Sequence, residues 1–171
     1  MILIAYASKY GATQEVAERI AQRLKKSGNQ AEVKSVARLT DLGKPEAVIV
    51  GSALYQGGWL PEATAFVRKN ATALSRIPTW LFSVGPLATD VKDDEEQPIE
   101  LAEFREKLGE SHHTVFHGRL DHSKLDRQDR MTMKSAGAPH GDFRDWDAID
   151  RWVDGVDKAL KAGALGSAKG G

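Results

Sequence analysis

Short apolar runs alternate with longer amphipathic segments along the chain. Five runs have the length of a β-strand: residues 2–7, 31–36, 47–50, 79–84 and 114–116. The first of them is a short continuous apolar run, which is typical of a strand that is covered on both faces, whereas the second places Ala31 and Val33 on one face. Between the runs, apolar residues recur every three or four positions, as at Val16, Ile20 and Leu24. This spacing predicts helices with one buried face.

The alternation of strands and helices predicts the fold class. Strands that are separated by helix-length segments form right-handed βαβ crossovers and a parallel sheet, so we expect one α/β domain over residues 1–162. Asp145 is expected to cap the last helix. Two pieces fall outside the alternation. They are a polar insertion at 119–144 and a glycine-rich segment at 163–171, which we expect to be a flexible tail.

The loops after the first, third and fourth strands form the candidate ligand site, because open parallel sheets bind ligands beyond the carboxyl ends of their strands. The first loop, residues 8–13, combines hydroxyls and a glycine with the start of a helix. Free backbone N–H groups at a helix start favour an anion. Capping of that helix by Ser8 or Thr13 explains these residues equally well.

The other two loops carry small and flat residues. Residues 51–59 include Tyr55 and Trp59, and residues 83–89 are small and non-acidic. Together with the first loop, they outline a slot for a planar heterocycle whose phosphate rests on the first loop. Trp59 lies close to Pro61, so we expect its ring to pack against the following helix rather than against a ligand.

The residues present exclude several classes of binding site. The chain lacks G-x-x-x-x-G-K-[ST] and G-x-G-x-x-G, which the common mononucleotide and dinucleotide sites require. It has no cysteine, which removes disulfides, cysteine-bound zinc and iron–sulfur clusters. We interpret the histidines as scattered surface residues and expect no metal site. These histidines are His112, His113, His117, His122 and His140.

Charge and hydropathy bear on which partners the chain binds and on where in the cell it is located. Lys and Arg number 24, as do Asp and Glu, so the net charge is +0 and no overall charge draws the chain to nucleic acid. The apolar runs have strand length, which is too short to span a bilayer. The strand pattern at 2–7 begins directly after Met1 and leaves no room for a secretion signal. We therefore expect a cytoplasmic location.

The first loop resembles the phosphate loop of flavodoxins. Residues 6–13 read YASKYGAT, and the flavodoxin pattern is a strand followed by T/S-x-T-G-x-T. Ser8, Gly11 and Thr13 match this pattern. The resemblance implies a three-layer, flavodoxin-like α/β fold, with helices on both faces of a five-stranded parallel sheet of order 2-1-3-4-5. It also implies a non-covalent FMN whose phosphate is held by these three residues.

Further segments are similar to one branch of this family, the flavodoxin-like menaquinone-dependent protoporphyrinogen dehydrogenases. They are VGSALYQG at 50–57, FVRKNAT at 66–72, and residues 83–84 with Ala88. The similarity spans roughly residues 1–160. It implies two-electron dehydrogenation of a protoporphyrinogen- or quinone-type substrate, with the flavin reoxidised by a second acceptor. We assign no residue as a catalytic acid or base.

The resemblance also implies a set of cofactor-binding residues in the three loops. They are Ser8, Lys9, Tyr10, Gly11, Ala12, Thr13, Ala53, Leu54, Tyr55, Gln56, Gly57, Ser83, Val84, Gly85 and Pro86. The residues of the second and third loops would flank the isoalloxazine ring. Lys9 would offset the phosphate charge if it points inward. A solvated lysine at a loop tip is an equally good interpretation of Lys9.

Other functions remain open at this point. One is a flavodoxin proper, an electron shuttle without a substrate of its own, although shuttles are usually strongly acidic and this chain is neutral. A deazaflavin would fit the same slot, and a flavin-free sensor could reuse the fold, because fold alone does not fix function.

Two charged segments bear on the partners. The loop at 90–96 is acidic. Its carboxylates are expected to stabilise the positive end of the following helix. The alternative is that they form a docking site for a basic redox partner. The insertion at 119–144 has few large apolar residues, so any docking on a membrane surface would be weak.

Overall fold

The computed structural model describes residues 1–85, 97–109, 112–135, 137 and 140–169. The strands of its main sheet are β1 (Ile2–Ala7), β2 (Ala31–Ser35), β3 (Ala47–Tyr55), β4 (Gly58–Trp59), β5 (Thr79–Val84) and β6 (His112–Phe116). The parallel strands follow the order β2-β1-β3-β5-β6, and β4 pairs antiparallel with β3. Without the short β4, this is the predicted order 2-1-3-4-5, so the predicted sheet is confirmed.

Helices cover both faces of the sheet. They are α1 (Ala12–Lys26), α2 (Pro61–Leu74), α3 (Leu101–Leu108), α4 (Arg127–Ser135) and α5 (Trp146–Lys169). Side chains of a strand point alternately to its two faces. Accordingly, Ile2 and Ile4 pack with α1 and α5, whereas Leu3 and Ala5 pack with α2 and α3. The α4 helix lies outside these layers, in the insertion.

Local sequence sets the ends of the helices. Pro61 begins α2, where its missing N–H group is not needed. At the start of α5, the backbone N–H of Ala148 donates to Asp145 Oδ1 over 3.0 Å, which confirms the predicted cap. The α1 helix ends at Lys26, and Gly28 follows with a φ of +93°, a left-handed conformation that suits glycine and ends helices.

Residues 51–59 form a hairpin, and the prediction of a loop over this segment is wrong. The β3 strand continues to Tyr55, and its end pairs with β4. Gln56 and Gly57 form the turn, with φ angles of +52° and +81°. Left-handed φ angles at both central positions are those of a two-residue hairpin turn whose twist matches its strands. The hairpin therefore extends beyond the carboxyl end of the parallel sheet as two hydrogen-bonded strands.

The insertion folds as a small unit before α5. Its strands β7 (Arg119–Leu120) and β8 (Gly141–Asp142) pair antiparallel, and α4 lies between them along the chain. The backbone N–H of Phe143 donates to Gly118 O over 3.0 Å, which extends this pairing by one contact. The two ends of the insertion therefore lie side by side, close to the end of β6.

The last helix continues further than the sequence predicts. The α5 backbone is helical through Lys169, so it includes much of the segment expected as a tail, and the flexibility of that segment stays a prediction. Among the described residues, no helix combines the length and apolar character that a membrane crossing requires.

Candidate functional site

A cavity of about 580 Å³ lies beyond the carboxyl ends of β1, β3 and β5. Its volume falls within the range of about 300–1,000 Å³ that small-molecule sites occupy. The structure brings all three predicted loops into its wall, with the following predicted residues: Ser8, Lys9, Tyr10, Ala12, Thr13, Ala53, Leu54, Tyr55, Gln56, Gly57, Val84 and Gly85. Gly11 and Ser83 are not part of the wall. Pro86 and the acidic loop at 90–96 lie outside the described residues.

The first loop has the backbone of an anion site. Gly11 is the N-cap residue of α1, has a φ of +91°, and gives the helix no side-chain cap. Ser8 Oγ instead accepts a hydrogen bond from the backbone N–H of Gly11 at 2.9 Å, and Thr13 is buried in the first turn. Neither hydroxyl caps the helix. The amides of the first turn therefore remain available for a ligand at the cavity.

The hairpin that forms the second wall is anchored to the start of α3. The backbone N–H of Ile99 donates to Gly57 O over 3.1 Å, and that of Trp59 donates to Glu100 Oε2 over 3.1 Å. Gln56 adopts a positive φ, which is uncommon for a residue other than glycine. The two hydrogen bonds hold the turn, and with it the Gln56 side chain, at the cavity.

Trp59 points away from the cavity. It is 4% exposed, and its ring lies 5.1 Å from that of Phe104 on α3. Its Nε1–H donates to Ser83 Oγ over 2.8 Å. Trp59 therefore packs within the protein, as expected, but the aromatic ring that it contacts is that of Phe104 on α3 and not one of the helix that directly follows it. The hydrogen bond from Trp59 explains why Ser83 faces the core instead of the cavity.

His113 is not the surface residue that the sequence suggests. Its Nε2 lies 2.7 Å from the Oγ of Ser83, which is on the adjacent strand β5. Burial, with a smaller contribution from the charge of Arg105, lowers the pKa of His113 from 6.5 to about 4. The ring is therefore neutral at neutral pH. In that form, Nε2 can accept a hydrogen bond from the Ser83 hydroxyl, while the Ser83 oxygen accepts one from Trp59 Nε1–H.

We expect His113 to make the protein less stable in mild acid. Its folded pKa lies below its unfolded value of 6.5, so the unfolded chain binds the extra proton and stability falls as the pH drops from about 6.5 to about 4. The expected loss is of the order of 3 kcal/mol by pH 4. Urea unfolding between pH 4 and 7 measures it. A His113→Gln protein should have a flatter profile, and identical slopes in the two proteins would contradict this assignment.

The insertion supplies cavity residues that sequence reasoning missed. They are Arg119, Leu120, Leu125, Asp129 and Met133, joined by Leu60, Gln97, Ile99 and Gly118 from elsewhere. Most of the side chains in this set are apolar. The only local signal for them was that Leu120, Leu125 and Met133 stand out in a polar segment, which does not by itself indicate a cavity.

Asp129 on α4 contacts three other polar side chains that line the cavity. It is 3% exposed and accepts hydrogen bonds from the hydroxyls of Tyr10 and Tyr55. Lys9 Nζ lies 2.6 Å from Asp129 Oδ2 and 4.3 Å from the centre of the Tyr55 ring. We call these four residues the Asp129 cluster. It joins the first loop, the hairpin and the insertion.

Two members of the Asp129 cluster, Asp129 and Lys9, are held in their charged forms. Burial alone would raise the pKa of Asp129, but hydrogen bonds from Lys9, Tyr10 and Tyr55 lower it to about 2. The hydrogen bond to Asp129 raises the pKa of Lys9 well above its usual range. Lys9 is thus neither a free loop-tip lysine nor an unpaired cation that faces a phosphate, because its charge is already matched by Asp129.

A second charged group ties the insertion to α1. Arg119 Nη1 lies 2.8 Å from Glu15 Oε2, and Arg119 Nη2 donates to Tyr10 O over 3.4 Å. Arg144, at the end of the insertion, lies 3.1 Å from the same Glu15 oxygen. Both ends of the insertion therefore contact the helix that follows the first loop.

Comparison with known proteins agrees with this geometry. Residues 3–147 match the family model described as "Flavodoxin domain". The chain is 32% identical over 88 residues to the protoporphyrinogen IX dehydrogenase [quinone] of Escherichia coli strain K12, a match that covers 50% of this chain and 49% of that protein. The chain therefore spans about half the length of the curated relatives it matches.

Solved structures share the fold at low sequence identity. A flavodoxin from the domain Archaea matches with a TM-score of 0.59 at 18% identity, covering 94% of this chain and 98% of that one. A cysteine-to-serine mutant of a Pseudomonas aeruginosa flavodoxin matches with a TM-score of 0.60 at 16% identity, with the same coverage. Rubredoxin oxygen:oxidoreductase from Desulfovibrio gigas matches with a TM-score of 0.62 at 16% identity, covering 94% of this chain and 36% of that one. The sheet order, the first loop and the match over residues 3–147 together establish that this chain belongs to the flavodoxin domain family.

Proposed function

We propose that this protein binds FMN non-covalently and uses it for two-electron dehydrogenation of a protoporphyrinogen- or quinone-type substrate. The observation that carries the proposal is Gly11, an uncapped, left-handed N-cap residue that opens α1 beside a cavity of about 580 Å³. An added Cβ at this position would meet Arg119 Nη2 at 3.7 Å, and a side chain there would strain the left-handed backbone from which the first turn of α1 begins. Glycine leaves the backbone open to close approach. The residues present therefore fit a flavin phosphate.

The chain's own residues would bind and orient the cofactor. The backbone N–H groups at the start of α1 and the Ser8 hydroxyl would hold the phosphate. Residues 53–57 of the hairpin, with Val84 and Gly85, line the part of the cavity that would receive the flat ring. When bound, FMN supplies two-electron redox chemistry, and the protein contributes orientation and electrostatics. No side chain of this set is assigned as an acid or base.

Two features favour an enzyme over an electron shuttle. The net charge of +0 differs from the strong acidity usual for a shuttle that docks on basic partners. The cavity wall continues into apolar side chains, among them Leu60, Leu120, Leu125 and Met133, which would suit an apolar substrate. A tetrapyrrole or quinone type of substrate agrees with the name of the Escherichia coli relative.

The second candidate is a flavodoxin-type shuttle without a substrate of its own. Its support is the likeness to flavodoxins along 94% of this chain. A deazaflavin in the same cavity is a variant of either proposal. A flavin-free sensor and a cytoplasmic location stay predictions from the sequence.

Reconstitution with FMN separates these candidates. We expect the purified full chain to retain FMN through gel filtration and to show flavin absorption in the near-ultraviolet and blue. Photoreduction should pass directly to the two-electron reduced form, and menadione should reoxidise it in turnover with protoporphyrinogen IX. Accumulation of a stable one-electron reduced form without turnover would favour the shuttle. Failure to retain any flavin would refute both.

A further inference from the structure

We infer that Asp129 is a positioning residue that holds α4 closed over the cavity, so that the insertion admits small molecules to the flavin but excludes protein-sized electron acceptors. This inference rests on the proposed function for the presence of the flavin. It assigns a role in substrate specificity to a residue outside the three cofactor loops.

The first observation is how α4 is attached. Asp129 is the one buried residue among the nine of this helix. A surface helix normally packs through an apolar stripe, whereas α4 buries a carboxylate. Met131, on the same helix, is 61% exposed. The docking of α4 therefore depends on hydrogen bonds and charge far more than on apolar packing.

The second observation is what Asp129 contacts. Lys9 and Tyr10 come from the loop after β1, and Tyr55 comes from the end of β3. All three line the cavity, so one carboxylate connects the insertion to two of its walls. A buried charge that loses its partners is costly, so this set of contacts is formed or broken largely as a unit.

The third observation is where α4 stands. Asp129 and Met133 lie one turn apart on the helix and both line the cavity, as does Leu125 just before the helix. The hairpin residues Tyr55 and Gln56 contribute to the same cavity. The insertion thus forms one side of the space in which the flavin ring would lie. A protein acceptor must bring its redox centre close to that ring, and α4 stands in the way on this side.

The fourth observation is that a nearby carboxylate serves as a matched control. Asp126 is exposed and lies 3.7 Å from Lys9 Nζ, and its Oδ1 accepts from the backbone N–H of Asp129 over 2.8 Å. Asparagine caps helices as well as aspartate does. Asp126→Asn therefore removes one charge near Lys9 and keeps the start of α4, whereas Asp129→Asn removes the charge inside the cluster.

The first test needs no cofactor. Amide hydrogen exchange over residues 127–135 is measured in the full chain without flavin. Loss of a charge-assisted hydrogen bond should speed exchange there about tenfold in Asp129→Asn, with little change in Asp126→Asn. Tyr55→Phe removes one of the contacts from the opposite side and should give an intermediate increase. Unchanged exchange in both Asp129→Asn and Tyr55→Phe would overturn the inference.

The second test measures access to the flavin. The FMN-loaded proteins are photoreduced and reoxidised by menadione or by cytochrome c, two molecules of which take up the two electrons. Asp129→Asn should react with cytochrome c about tenfold faster, while its rate with menadione and the rates of Asp126→Asn stay close to those of the original protein. An unchanged cytochrome c rate despite faster exchange would also overturn the inference. A protein that takes up no FMN refutes the proposed function instead, and hydrogen exchange alone then decides whether Asp129 holds α4 closed.

Discussion

A Gly11→Val protein is expected to fold but to bind FMN at least about 100-fold more weakly, because valine strains the left-handed backbone that directs the first amides of α1 toward the cavity. Gly11 has a φ of +91° at the start of α1, and a β-branched residue is a genuine outlier in that region. Any relaxation of φ would rotate the first amides of α1 away from the cavity. Quenching of FMN fluorescence on titration measures the loss.

Gly28 provides a matched control for this substitution. It lies just beyond the other end of α1, with a φ of +93° and no atom within 4 Å of an added Cβ. Gly28→Val should therefore cost a similar amount of stability, of the order of 1–3 kcal/mol, and leave FMN affinity unchanged. If Gly11→Val binds FMN as well as Gly28→Val does, the phosphate does not lie on the first loop.

A Gly51→Ala protein is expected to lose about 3 kcal/mol or more of its folding stability. Gly51 lies on β3 opposite Phe82 on β5, and an added Cβ would overlap the Phe82 ring. Phe82 is fully buried, and its ring lies 6.1 Å from that of Phe116 and 6.3 Å from that of Trp152. The ring has no free space to enter, so β3 and β5 must separate. Thermal or urea unfolding measures the effect.

Two further variants test the cause of that loss. In the Gly51→Ala, Phe82→Leu double variant, the smaller leucine makes room for the added methyl group. The stability loss of the double variant should therefore be smaller than the sum of the losses of the two single variants. Gly155→Ala places the same methyl group in α5, where nothing lies within 4 Å. It should raise stability by up to about 1 kcal/mol. Fully additive losses at Gly51 and Phe82 would contradict the steric explanation.

The sheet could be predicted because burial on both faces leaves a local signature. Residues 2–7 form a continuous apolar run and residues 79–84 a largely apolar one, and each is a strand. The glycine and hydroxyls at 8–13 likewise predicted the turn at the start of α1, since helix starts and left-handed turns depend on the identity of neighbouring residues. Such signals need no knowledge of distant partners.

The hairpin and the insertion could not be predicted in this way. Tyr55 and Asp129 are 74 positions apart, and Tyr10 and Asp129 are 119 apart. A lone aspartate in a polar segment has the local pattern of a solvated residue. The surface assignment of His113 is wrong for the same reason, because its partner Ser83 is 30 positions away on the adjacent strand. Tertiary pairing, and not local preference, buries these groups.

Calorimetric titration of the cofactor-free protein with FMN and with riboflavin isolates the contribution of the phosphate, which riboflavin lacks. We predict that FMN binds at least about 100-fold more tightly, since several backbone amides at a helix start would be left without their anion by riboflavin. Equal affinities for the two flavins, or no heat with either, would contradict the assignment of residues 8–13 as the phosphate site.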